Sequence, residues 1–374
     1  MYMSKLISQG GYGCVFYPGI DCRGRTIDDD SIATKVQVKN FTSNNEIKIG
    51  TMIRNQGGYE LFFLPVLSSC DINIRKSSAG EISKCKIIDK HKNKYVAMSM
   101  KYLKNHNFVD IVKHSDSRMV IQTFIESYKY LLMAIEKLTY INVVHFDLKL
   151  ENIIFHGYTY EPRIIDFGIS IPIGDLNEST MKNYFYTYAP SYYVWCIDNI
   201  IINFLLHETD TELTDVNAET LSRMYVANNK ALSVYSNEEV IQYLDMCIKQ
   251  TKTYVGRPRG EVIQELLKYN NTWDNYSLSI IYLKLIDGLF PNREDSNTFI
   301  LLMIRILFTN IHPVPSRRLN ITDTMIQFSN IFYIECDVDS YIRVVTQMAH
   351  VKHQIITEIE SDKRSLKTIK TSTL

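Results

Sequence analysis

The chain has 374 residues, 45% of them hydrophobic and 22% charged, which is enough apolar content for a sizeable core. Lys plus Arg number 41 and Asp plus Glu 41, so no net field draws the chain to nucleic acid or to an anionic membrane. Seven cysteines at irregular spacing, with no Cys-x-x-Cys pair, exclude a zinc framework and read as reduced, mostly buried thiols of a cytosolic protein.

Met1–Lys5 holds no apolar core and no small-residue cleavage site, so no leader peptide is expected. The longest apolar runs, near Ile200 and Ile300, fall short of a membrane span. The abundance of Ile, Asn, Lys and Tyr points to an AT-rich genome.

In chain order, the first pattern is Leu6-Ile7-Ser8-Gln9-Gly10-Gly11-Tyr12-Gly13-Cys14-Val15-Phe16, a strand, a glycine turn and a second strand. Glycines let the backbone approach a polyphosphate, whose oxygens free amides can bind. Taken alone the pattern is equally a plain hairpin. Ser31–Val38 alternates as a strand and carries Lys35, a residue type that strand edges also use simply for solvation. Ser43-Asn44-Asn45 offers a cap for a helix over Glu46–Ile53. Glu46 is the only acidic residue between Lys35 and Glu60, which makes it the best partner for Lys35, although Gly50 weakens that helix. Leu61–Leu67 reads as a strand. Residues 71–93 read as a long excursion flanked by Cys70 and Cys85, and Tyr95–Met100 as a strand running into Lys101-Tyr102-Leu103.

Ser117–Ile141 shows apolar residues at helical spacing, from Ile121 to Leu138, with Ser115 or Asp116 as its cap. It delivers the chain to Val143-Val144-His145-Phe146-Asp147-Leu148-Lys149-Leu150-Glu151-Asn152, a short apolar strand and a polar loop, then to the strand Ile153-Ile154-Phe155. Arg163-Ile164-Ile165-Asp166-Phe167-Gly168 follows, a buried strand ending in a carboxylate and a glycine. Asp147 can accept a proton from an attacking hydroxyl, while Asn152 and Asp166 supply oxygen ligands for Mg²⁺. The bland alternative is a pair of hairpins whose turns happen to carry Asp and Asn.

The pattern His-x-Asp-Leu-Lys-x-x-Asn followed by Asp-Phe-Gly resembles the catalytic loop and metal-binding strand of the protein kinase superfamily. The likeness covers residues 5–335 apart from an insertion over 192–271. It implies an α+β, bilobed protein-kinase-like fold: an N-lobe over 1–104, a C-lobe over 105–191 and 272–340, a helical insertion over 192–271 and a C-terminal helix and tail over 341–374. It implies an ATP- and Mg²⁺-dependent serine/threonine kinase, with Mn²⁺ as the substitute ion, acting on protein hydroxyls. Asp147 would be the base and Lys149 would offset charge on the γ-phosphoryl group. Lys35, set by Glu46, would grip phosphates, and Asn152 and Asp166 would hold metal. The nucleotide site would be lined by Ile7, Ser8, Gly10, Gly11, Gly13, Val15, Ala33, Lys35, Met100, Lys101 and Leu103, with backbone groups near Lys101 to Leu103 bonding adenine. The composition and the divergent motifs resemble kinases of large cytoplasmic DNA viruses, which implies a cytoplasmic (host cytoplasm or virion) location. A catalytically weak scaffold that binds nucleotide, with the insertion as a docking surface for a protein partner, is the alternative reading.

Several positions depart from the family pattern. Ser8 replaces the first glycine of the loop, and Phe146 stands where the family has an Arg that pairs with an activation-loop phosphate. Ser191 replaces the Glu of Ala-Pro-Glu, so the buried pair between that Glu and a late Arg, at the position of Arg317 or Arg318, must be missing or replaced. Tyr184 takes the usual Thr position of the substrate-facing loop. Two segments compete for the core helix that should begin with an Asp, Tyr193–Ile197 and Trp273–Leu283, and only the second has the Asp, Asp274. Helices are expected at Val194–Leu206, Ala218–Ala227, Glu238–Thr251 and Gly260–Lys268, with a basic turn at Thr253–Gly260. Others are expected at Phe299–Phe308, to about Phe332, and over Ser340–Glu358, before a frayed basic end from Lys363 to Leu374.

Overall fold

The computed structural model describes residues 3–11, 13–74, 81–88, 94–208, 212–290, 298–334 and 338–372. The chain divides into two units, one made of Met1–His106 and Ile154–Pro172, the other of Asn107–Ile153 and Ile173–Leu374. Residues 154–172 thus fold with the N-terminal segment.

The first unit is built on five antiparallel strands, β1 (Lys5–Gln9), β2 (Gly13–Tyr17), β3 (Ile32–Val38), β4 (Val66–Ile72) and β5 (Tyr95–Lys101), in the order β1-β2-β3-β5-β4. Successive side chains of a strand point to opposite faces, so β5 serves two apolar layers. Cys14, Phe16, Val36, Tyr95 and Ala97 pack on one face. Val66, Val96 and Met98 pack on the other, against Ile47 of the helix α1 (Phe41–Arg54). That helix begins at Phe41, earlier than the Ser43–Asn45 cap expected. Asn40 accepts from the Ser43 amide at 3.1 Å, and the Ser43 hydroxyl accepts from the Asn40 amide at 2.9 Å, a reciprocal capping box. Gly50 has a packing reason. A Cβ there would come within 3.0 Å of the Val66 carbonyl oxygen, so glycine lets the helix lie close on β4.

The reading of the cysteines as reduced thiols is corrected for four of them. Cys14 is bonded to Cys85 and Cys22 to Cys70. The first pair ties β2, just past the glycine turn, to the 71–93 excursion, and the second ties the β2–β3 connection to β4. Irregular spacing hid both pairs, because what brings them together is the sheet order. Cys196 and Cys247 are buried thiols, and Cys336 lies outside the described residues.

Short strands follow: β6 (Asn105–His106), β7 (Val143–Val144), β8 (Ile153–His156), β9 (Pro162–Ile164) and β10 (Ile171–Pro172). In the first unit β6, β8 and β9 form a small sheet. Leu64 donates its amide to the Ile164 carbonyl at 3.2 Å, and Ile164 donates to Phe62 at 2.9 Å, which fixes the strand that leads to Asp166.

The second unit is helical: α2 (Phe108–His114), α3 (Ser117–Tyr140), α4 (Met181–Tyr184), α5 (Ile197–His207), α6 (Asp215–Asn228), α7 (Asn237–Lys252), α8 (Arg259–Leu267), α9 (Trp273–Leu289), α10 (Thr298–Asn310), α11 (Ile321–Ile334) and α12 (Val338–Ser372). Its axis is α9, apolar or small on nearly every side and buried throughout except at Lys284 and Asp287, the pattern of a helix enclosed by others. On α3, Tyr128 meets Tyr282 edge-on at 4.6 Å and Phe328 of α11 at 4.8 Å, and Ser127 bonds the Tyr282 hydroxyl at 2.7 Å. Asp116, one of the two caps expected, accepts from the Met119 amide at 2.9 Å. In the 253–260 turn Arg257 is paired with Glu265 at 2.6 Å. The C-terminal helix does not stop at Glu358. It continues to Ser372, because Ile355 and Leu366 are buried against the unit. No helix among the described residues is long and apolar enough to cross a membrane.

Candidate active site

In the first unit the glycine turn is closed by the Gly10 amide, which donates to the Gly13 carbonyl at 2.9 Å. Gly13 sits at a close approach of two strands. A Cβ there would lie 3.2 Å from the Lys35 Cε and from the Val36 carbonyl oxygen. Val15 lies opposite Lys35 across β2–β3, and Ala33 lies opposite Met100 across β3–β5. Directly opposed residues share a face, so Val15, Ala33, Lys35 and Met100 line one side of the sheet. Ile7 and Ser8 are exposed on β1, and Gly10 and Gly11 lie in the turn. Lys101 ends β5, and Leu103 follows it, half-buried. Next to them Tyr102 stacks on Tyr17 at 3.5 Å.

Lys35 sits on that face between two carboxylates. Its Nζ donates to Glu46 Oε1 and Oε2 at 3.0 and 2.8 Å and to Asp166 Oδ1 at 2.9 Å. Burial alone would depress the ammonium, but the Asp166 and Glu46 carboxylates more than offset it and hold the group above its ordinary range. Two acids against one base leave a formal surplus negative charge, which suits a nucleotide's metal ion. Asp166 adopts φ 66°, an uncommon conformation for a non-glycine residue and one that clusters at functional sites. The turn is held by Asn45 of α1, whose amide nitrogen donates to the carbonyls of Gly168 at 3.1 Å and Ser170 at 2.7 Å. Phe63 packs edge-on against Phe167 at 6.0 Å. Nothing in the spacing of Asn45 singled it out.

In the second unit, β7 leads into the loop His145–Asn152. Asp274, at the start of α9, accepts the backbone amides of His145 at 2.7 Å and Phe146 at 3.0 Å. Burial pushes its carboxyl up, and the His145 and Phe146 amides partly restore it. Phe146, at φ 67°, fills an aromatic cluster. It stacks on Trp195 at 4.8 Å and meets Phe185 edge-on at 5.4 Å, and Trp195 Nε1 donates to the Phe146 carbonyl at 2.7 Å. Ring packing stands where an Arg would otherwise wait for a phosphate.

The Asp147 carboxylate is buried and engaged on both oxygens. Lys149 Nζ lies 3.2 Å from Oδ1 and 3.1 Å from Oδ2. Asn152 Nδ2 donates to Oδ2 at 3.1 Å and to the Asp147 carbonyl at 2.8 Å. The Tyr192 hydroxyl donates to Oδ1. Burial, then the Asp147 charge, raises the Tyr192 phenol well above its ordinary value, so it acts as a donor throughout the neutral range. The Tyr184 hydroxyl donates to Asp175 at 2.7 Å. Tyr192 is the loop residue on Asp147, and it lies past Ala189-Pro190, where the family spacing did not point.

Arg318 is paired with Asp198, both side chains 1% exposed. The acid missing at Ser191 is thus replaced seven residues later, at the start of α5. Tyr192, Trp195 and Asp198 all serve this centre, so the segment from 192 to 198 is structurally part of it.

Taken by residue type, Asn152 in the second unit and Asp166 in the first are each oxygen donors of the kind Mg²⁺ takes. Asn152 turns its amide nitrogen to Asp147, which leaves its oxygen as a hard ligand, and Asp166 supplies a carboxylate. No cluster of three His, Cys, Asp or Glu occurs among the described residues. Mg²⁺ bound through one or two protein oxygens plus phosphates needs none.

The protein kinase domain family matches residues 72–193, which hold β5, α3, the 145–152 loop and Asp166. No curated protein matches the chain. The match spans about a third of the chain, and over those residues the chain is similar to the protein kinase domain family.

Proposed function

We propose that the protein transfers the γ-phosphoryl group of ATP to serine or threonine hydroxyls of a protein substrate. What supports this best is the anchoring of Asp147, whose backbone neighbours are fixed by Asp274 and whose carboxylate is oriented by Lys149 and Asn152. Asp147 accepts the hydroxyl proton as that oxygen attacks phosphorus, and Lys149 turns to the transferring group and offsets its charge. Lys35, held by Glu46, binds the α- and β-phosphates. Ile7, Ser8, Gly10, Gly11, Gly13 and Val15 cover the nucleotide, while Ala33, Met100, Lys101 and Leu103 receive adenine. Asn152 and Asp166 would hold Mg²⁺, or Mn²⁺ in its place, which would supply charge neutralisation at the phosphates. Incubation with γ-labelled ATP and a generic basic protein, followed by phosphoamino-acid analysis, tests the reading. Label in phosphoserine or phosphothreonine supports it. ATP turnover without labelled protein replaces it with a small-molecule kinase.

A second reading draws on the saturation of Asp147, since Tyr192 already occupies one of its oxygens. In that reading the chain binds nucleotide without turnover and docks a protein partner through the 192–271 segment, where Val216 and Ile241 are exposed. Inertness of the wild type with both Mg²⁺ and Mn²⁺ would favour it.

A further inference from the structure

The C-terminal helix and the 145–152 loop line a common cavity. A cavity of about 500 Å³ is lined by Lys149 and Glu151 of the loop, by Tyr193, by Lys284 of α9 and by Asp362 of α12. Asp362 is the hub of its polar wall. It accepts from the Tyr193 hydroxyl and from Lys284, and Lys230 lies 3.6 Å away. Lys284 also bonds the Tyr193 hydroxyl at 2.7 Å. α12 lies against α9 at Gly288, where a Cβ would meet Ile355 Cγ1 at 3.4 Å.

Tyr192 and Tyr193 are consecutive. One hydroxyl is fixed on Asp147 and the next on Asp362. Tyr193 is also fixed from the α9 side, where the Tyr276 hydroxyl donates to its carbonyl at 3.3 Å and the Ser277 hydroxyl bonds the Val194 carbonyl at 2.8 Å. Tyr193, the residue next to Tyr192, is thus held at its ring hydroxyl by Asp362 and Lys284 and at its carbonyl by Tyr276. We propose that Asp362 is a positioning residue for the catalytic base, acting through Tyr193 and Tyr192 on Asp147. The inference rests on the phosphotransfer reading for its kinetic readout, but not for its structural one.

A control lies two residues away on the same helix. Glu360 pairs with Lys113 of α2 at 2.9 Å, which is adhesion at the surface without contact to Tyr193. In the full chain, Asp362→Asn should lower kcat about tenfold or more, in line with the cost of a small misplacement at a reacting centre. KM for ATP should stay within about twofold, and Glu360→Gln should leave kcat within about twofold, as expected of an exposed ion pair. Tyr193→Phe, which removes one hydroxyl and keeps the ring, should match Asp362→Asn, and the double variant should be no slower than either single one. Amide exchange over residues 189–196 should quicken in Asp362→Asn and Tyr193→Phe while α9 stays protected. Unchanged kcat and unchanged exchange in Tyr193→Phe would overturn the proposal, as would an equal loss of kcat in Glu360→Gln. If the wild type proves inert, the phosphotransfer reading fails and the exchange result alone decides the positioning role. If Asp362→Asn does not fold, Tyr193→Phe carries both readouts.

Discussion

Trp195 donates its indole N–H to the carbonyl of Phe146 at 2.7 Å while the two rings stack 4.8 Å apart. The backbone beside Asp147 is thus held by an aromatic residue where a phosphate clamp would otherwise act. Phe146→Ala should cost about 3–5 kcal/mol by opening a buried aromatic site, measured by urea unfolding. Phosphatase treatment of the wild-type protein should leave its transfer rate unchanged, and a loss of rate would show that a phosphate clamp exists elsewhere.

Asp198 and Arg318 form a pair with almost no solvent contact. Burial would depress the guanidinium, and the Asp198 charge more than restores it. Asp198→Ala leaves an uncompensated buried cation and should destabilise the chain by about 3–5 kcal/mol. Replacing both residues with Leu and Met should recover most of that loss. An unfolding free energy for Asp198→Ala equal to wild type would mean the pair contributes no stability.

The two cross-links close sequence separations of 71 and 48 residues. In the chain-entropy account each stabilises the fold by about 4 kcal/mol, so dithiothreitol should lower the melting temperature. Alkylation in denaturant without reductant should spare Cys14, Cys22, Cys70 and Cys85 and label Cys196 and Cys247. In the native state Cys196 should react slowly, because burial pushes its thiol up to about 12. Full labelling of the first four without reductant would refute the pairing.

Lys35 is held charged above its ordinary range by Asp166 and Glu46. A raised folded-state value means the stabilising charge is complete below about 10.5, the ordinary lysine value, and is lost only as pH rises through the folded value. Lys35 should therefore add no pH dependence to nucleotide affinity between about pH 6 and 9. Glu46→Gln should weaken binding at every pH in that window. Calorimetric titration measures both, and an affinity that falls through the window would place the Lys35 titration lower than its two carboxylates allow.

Much of the frame was legible from local chemistry. Glycine spacing, the Lys35 strand, the Glu46 helix and the 145–152 loop all show in short windows, because strands and loops declare themselves in alternation and polarity. Asp274 was legible because only one of two apolar segments opened with an acid. The remainder depends on tertiary return. Tyr192 lies beyond the Ala-Pro landmark, so spacing favoured Tyr184. Asp198 replaces an acid seven residues upstream, which no window of fixed length reveals. The cysteine pairs follow from sheet order, and the extension of α12 to Ser372 follows from what Ile355 and Leu366 pack against.

The most direct test of the account is Asp147→Asn in the full chain, which preserves shape and removes the proton acceptor. Transfer of labelled phosphate to protein should fall by about 10²–10⁴-fold, the usual contribution of a positioned base, while ATP affinity measured by calorimetry stays close to wild type. Transfer at the wild-type rate would contradict the assignment of Asp147 as the base and, with it, the phosphotransfer reading of this site.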